Sequence, residues 1–141
     1  MTGTDLTAPV GQILINLKSL DNFDDVYEDK NFKGWLNTTF SFGLLGFENN
    51  EVYALIRGRR GTLKVVSGKD WSGIIKDANN NINPDAKGVV IGALMPQEQG
   101  LQEIKHILEG LSEHMNPDAV ILFQALQHKK KWIMMYCLVV E

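Results

Sequence analysis

Hydrophobic positions along this chain change their period several times. Trp71, Ile74, Ile75, Ala78 and Ile82 fall at i, i+3, i+4, i+7 and i+11, one stripe of a helix, and Asp70 stands where an N-cap belongs. Leu101, Ile104, Ile107, Leu108, Leu111 and Met115 make a second helical stripe. Both stripes stop at the same tetrapeptide, Asn-Pro-Asp-Ala, at 83–86 and again at 116–119. Proline cannot continue a helix, so each stop predicts a turn from which the chain returns as a strand. The returning segments are apolar runs at 88–95 and 120–126, and a closing run at 132–140 follows the polar turn His128-Lys129-Lys130-Lys131.

The first half has weaker periodicity. The run 13–17 reads as a strand. Asp21 then reads as the cap of a helix carrying Phe23, Val26 and Tyr27 and ending near Gly34. Residues 38–45 are β-rich and bounded by Gly43 and Gly46. Segments 51–57 and 62–66 flank Gly58-Arg59-Arg60-Gly61, which signals a hairpin. Residues 1–10 read as a flexible lead-in. The expectation is a single α/β domain over 11–141, with a hairpin insertion around 48–67. It has two layers: a mixed, largely buried sheet of about five to seven strands, and three helices.

The runs at 88–95, 120–126 and 132–140 do not alternate apolar with polar. Strands of that kind are covered on both faces. Three helices cover one face, so either the sheet curls over its own hairpin or a second surface closes it. The latter implies a partner subunit or an adjoining domain.

Composition narrows the classes. With 44% hydrophobic and 22% charged residues, the 141-residue chain can bury a core without staples. A formal charge of −3 gives no global pull toward nucleic acid or anionic lipid. One cysteine, Cys137, lies inside an apolar run and reads as a core thiol; alone it permits neither a disulfide nor a zinc site. The start MTGTDLTAP lacks a basic and an apolar region of signal-peptide type, and no apolar run is long enough to span a bilayer as a helix. These features predict a cytoplasmic protein.

Little in the sequence predicts chemistry. His106 and His114 lie eight apart on one helix, about 80° round it, which suits no tight metal pair. His128 stands alone, and no metal site is expected. No serine sits in a nucleophile-elbow motif, and no glycine run forms a phosphate loop or a strand-linked dinucleotide fingerprint. No nucleotide or other cofactor and no catalytic residue is therefore expected. Arg57, Arg59 and Arg60 form one basic cluster and Lys129, Lys130 and Lys131 another, both at expected hairpin tips. If adjacent, the tips would dock an acidic tail or a phosphate backbone, although neither carries the interleaved aromatics of single-strand binders.

The order of elements resembles the C-terminal domain of FtsZ, the tubulin-like division GTPase. Asn16-Leu17-Lys18-Ser19-Leu20-Asp21, after an apolar run, is similar to the family's Asn-x-Asp-x-x-Asp loop, with Lys18 in place of the middle acid. Thr38-Thr39-Phe40-Ser41-Phe42-Gly43-Leu44-Leu45-Gly46 resembles the family's glycine-punctuated strand. Gly68-Lys69-Asp70-Trp71 entering a helix, Ala86-Lys87-Gly88-Val89-Val90-Ile91 and Pro117-Asp118-Ala119-Val120 follow in the family's order. The resemblance runs from about residue 6 to 140 and omits the GTPase domain. In the family the loop reaches into the next subunit of a filament, where its acids orient the water that attacks the γ-phosphate. A lysine only donates hydrogen bonds, so Lys18 does not serve that purpose.

The resemblance implies a non-enzymatic assembly or interaction module of a cytoskeletal or division system. Its loop candidates are Asn16, Lys18 and Asp21, and its partner would be a protein or a second copy meeting the sheet face. The alternative reading is a small homo-oligomeric α/β protein that binds a metabolite between subunits, with or without enzymatic activity.

Overall fold

A computed structural model of the chain describes residues 11–41 and 47–141. The expected lead-in at 1–10 and part of the β-rich run at 38–45 lie outside the described residues. Among the described residues there is one open sheet of four strands and there are six helices. The helices are α1 (residues 11–17), α2 (Phe23–Glu28), α3 (Phe32–Thr39), α4 (Asn49–Ile56), α5 (Trp71–Asn81) and α6 (Leu101–His114). The strands are β1 (Gly61–Gly68), β2 (Gly88–Pro96), β3 (Val120–His128) and β4 (Ile133–Val140).

The second half matches the sequence pattern. Asp70 caps α5, its Oδ1 accepting the Gly73 N–H at 2.7 Å. The repeated tetrapeptides build the same turn twice. Asn83 Oδ1 accepts from the Asp85 N–H and Asn116 Oδ1 from the Asp118 N–H. The Asn116 N–H donates to Pro84 O, tying one turn to the other. From these turns β2 and β3 leave as a parallel pair, Gly88 beside Val120. β4 runs antiparallel to β2 and to β1, giving the order β1-β4-β2-β3, so the expected mixed sheet is present.

The first half departs from expectation. Residues 13–17 are not a strand but lie in α1, with Ile13, Leu17 and Leu20 buried at helical spacing. The helix expected after Asp21 is two helices, and α3 runs through Gly34 to Thr39. The start of the expected strand at 38–45 is thus helical. Residues 51–57 are not a strand either: Val52, Leu55 and Ile56 are the buried face of α4, whose first turn is closed by the Glu48 N–H donating to Glu51 Oε1. There is no hairpin insertion at 48–67. A helix is followed, through Gly58 at φ 70°, by a strand of the main sheet. Short apolar runs fit either period, and here residues at 3–4 spacing find the core.

These helices answer the question of the sheet faces. On one side α5 and α6 pack on Val89, Ile91, Ala93, Met95, Phe123, Met135, Cys137 and Val139. On the other, Ile13, Leu17, Trp35, Val52 and Ile56 pack on Val90, Leu122, Leu138 and Val140. The sheet is the middle of three layers, not one of two. Among the described residues the unbroken apolar strands are therefore largely buried by the chain's own helices, with Leu94, Leu126 and Met134 half-buried on the second face. Trp35 Nε1 donates to Val90 O at 2.9 Å, and Gly92 lets α3 approach the sheet at Thr39.

Candidate functional site

The register separates the predicted basic clusters. Gly61 pairs with Val140 and Gly68 with Ile133, while β3 ends beside the end of β2. The arginines before β1 and the lysines after β3 therefore sit at opposite ends of the sheet, roughly 25 Å apart for strands of this length. The expected adjacency of the two tips does not occur.

At the arginine end, the loop candidates and the arginines come together. The Asp21 N–H donates to Arg59 O at 2.8 Å and the Gly58 N–H to Ser19 O at 2.9 Å. Asn22 bonds Gly61 twice, donating from Nδ2 to its carbonyl and accepting its N–H at Oδ1. Asn16 lies in α1, its Oδ1 accepting from Gln12 and its carbonyl from Ser19, so it is not the last residue of a strand. Lys18, Asp21, Arg57 and Arg60 are exposed. Arg59 is half-buried and its Nη1 donates to Leu55 O. Arg60 approaches Asp25 at 4.0 Å, an exposed pair of small energetic weight. The surface is of mixed charge rather than a basic patch.

The lysine end carries a crevice of about 310 Å³ lined by Lys69, Asp70, Trp71, Ser72, Gln99, Gln102, Glu103, His106 and Ile133. It lies where β1 and β2 run out into the N-termini of α5 and α6. Ligands of open α/β sheets bind at such carboxyl ends of strands. Trp71 Nε1 donates to Gln99 Oε1 at 2.7 Å, and Gln127 Nε2 donates to the carbonyls of Gln97 and Gln99, fixing the loop between β2 and α6. Glu103 Oε1 accepts the Gly100 N–H. Ser72 Oγ lies 3.1 Å from His106 Nε2. The carboxylates of Asp70 and Glu103 each accept a backbone N–H at a helix start.

Beside the crevice, Lys131 bonds Glu98 at 2.8 Å, and this hydrogen bond holds the Glu98 carboxyl below its ordinary range. Lys129 and Lys130 are exposed, and His128 packs against Trp132 with ring centroids 4.3 Å apart and the rings tilted by 53°. His114 Nε2 lies 2.7 Å from Ile82 O, a helix-end contact. Among the described residues, no three His, Cys, Asp or Glu side chains converge as for a metal. Burial pushes the Cys137 thiol up to about 12.

The crevice escaped the sequence reading. Gly68-Lys69-Asp70-Trp71 was legible as the entry to a helix and His106 as a surface histidine. Nothing local joins Ser72 to a residue 34 positions away; only the packing of α5 on α6 does so.

No family model matches the chain, and no curated protein matches it in sequence. Solved structures do match in fold. An empty FtsZ dimer of M. jannaschii superposes with a TM-score of 0.67 at 14% identity, covering 75% of this chain and 34% of that one. A point mutant of FtsZ from the same organism gives 0.65 at 16%, covering 75% and 35%. The resemblance to the FtsZ C-terminal domain therefore holds at the level of fold. The chain spans about a third of the FtsZ chains it matches. No helix among the described residues is long and apolar enough to cross a membrane.

Proposed function

We propose that this chain is an interaction module of an FtsZ-like cytoskeletal or division system, acting through protein contacts rather than chemistry. The observation that carries this reading is the FtsZ-like fold over three-quarters of the chain. Helices cover most of both sheet faces, so we place these contacts at the ends of the sheet. The resemblance calls for an apolar strand, a short acidic loop and a helix. In this chain Asn16 to Asp21 follow α1 and lead into α2, so a helix rather than a strand precedes the loop. The surface we propose for a filament neighbour is the crevice end, where Lys69, Ser72 and His106 are exposed. Asp70, the cap of α5, positions that helix at the crevice. Lys18, Asp21 and Arg57 to Arg60 form the surface at the opposite end.

Sedimentation velocity with and without a tubulin-like GTPase tests this. A complex that weakens when Lys69 and His106 are replaced supports the reading, and absence of any complex counts against it. The crevice itself favours one second reading, a small polar metabolite held between subunits, which calorimetry with candidate metabolites would detect.

A further inference from the structure

The sheet is open, and its two edges differ. The four central residues of β3 are buried at one edge. At the other edge β1 is exposed at Thr62, Ser67 and Gly68, and Lys64 and Val65 are half-buried. Its hydrogen-bonding phase can be read from its first residues. The Glu141 N–H donates to Arg60 O, so even-numbered residues of β1 address β4. Gly61 turns both its backbone groups the other way, to Asn22. The N–H and C=O groups of Leu63, Val65 and Ser67 therefore point outward in the same phase as Gly61, and no described residue bonds them. Such a row is a template for another strand.

We propose that β1 pairs antiparallel with β1 of a second copy of this chain, Val65 lying on the two-fold axis. Opposed residues of an antiparallel pair share a face, so in a two-fold pairing their numbers add to an even sum. Two registers overlap the strand most fully. One sets Lys64 against Lys64 and places a ladder bond at Gly61, where Asn22 already occupies both backbone groups. The other sets Val65 against Val65 and Leu63 against Ser67, and all six outward groups of each copy then bond. Like charges directly opposed destabilise a sheet, so the second register wins. The result joins two four-stranded sheets into one continuous sheet. The interface is small, so the dimer is weak. This inference rests on the β1 edge alone and stands independently of any FtsZ-like partner.

Val65→Pro removes an outward donor and no bond to β4, a substitution that edge strands tolerate. In sedimentation equilibrium of the whole chain alone, the wild type is expected to dimerise. Val65→Pro, with unchanged circular dichroism, is expected to weaken the dimer roughly 10- to 100-fold, for two interfacial hydrogen bonds lost with their acceptors left unpaired. Half-filtered NMR on mixed-labelled wild-type protein reads the register directly, through a contact between the Lys64 and Val66 α-protons of different copies, and does not depend on the variant folding. A wild type monomeric up to millimolar concentration, a dimer that survives in folded Val65→Pro, or a different inter-copy contact overturns the proposal.

Discussion

Asn22 holds Gly61 by two hydrogen bonds, each 2.8 Å, one given and one received. This contact explains why the chain turns polar after the apolar run at 13–17. The segment must leave α1 and close the end of the β1 edge with a side chain that mimics a backbone. Asn22→Ala leaves the buried Gly61 N–H and C=O unpaired. The expected loss is about 2 kcal/mol, seen as a lower urea midpoint at constant slope. Asn22→Asp, which retains only an acceptor, should fall between.

Gly92 is the place where α3 meets β2. A Cβ there would press on Thr39 Oγ1 and lie 2.8 Å from Thr39 N and 3.0 Å from its Cα. A helix backbone has nowhere to yield, so Gly92→Ala is expected to destabilise by about 3 kcal/mol, at the upper end of overpacking costs. Thermal unfolding measures this, and a value near zero would mean that α3 sits further from the sheet.

Cys137 is fully buried in β4, and its thiol is pushed up to about 12 by desolvation. Its reaction with a thiol reagent at neutral pH should be limited by opening of the fold. The labelling rate should rise with denaturant in parallel with global unfolding. Fast labelling in water would contradict the burial of Cys137 beneath α5 and α6.

Glu98 is held below its ordinary range chiefly by the Lys131 hydrogen bond. A carboxyl with a lowered folded value stabilises above its unfolded value and loses that contribution as pH falls through the folded one. Both groups are exposed, so the effect on stability is small. The clean readout is an NMR titration in which Lys131→Ala moves the Glu98 midpoint upward. No movement would mean that the pair does not persist in solution.

What the sequence reveals follows from how local each signal is. The Asp70 cap, the two stripes and the Asn-Pro-Asp-Ala turns are local, and α5, α6, β2 and β3 stand where they predict. The short runs around Leu17, Trp35 and Leu55 carry too few turns to separate a helix from a strand. Their burial against Val90 and Leu138 decides, and that requires the whole sheet. The same misreading left one sheet face uncovered, to be closed by the chain's own hairpin or by a second surface. The predicted loop and arginine candidates do share one surface, because Asp21 bonds Arg59. The lysines lie at the far end because β1 and β3 are launched from the same end of the sheet but end at the other. Ser72 and His106 were invisible as a pair.

The most direct measurement is co-sedimentation of this chain with filaments of a tubulin-like GTPase, beside the Lys69→Ala/His106→Ala variant. The account predicts that the wild type pellets with the filaments and that the variant remains largely in the supernatant while staying folded. A wild type that never pellets with filaments, or a variant that pellets equally well, would contradict the assignment of the crevice end as the contact surface.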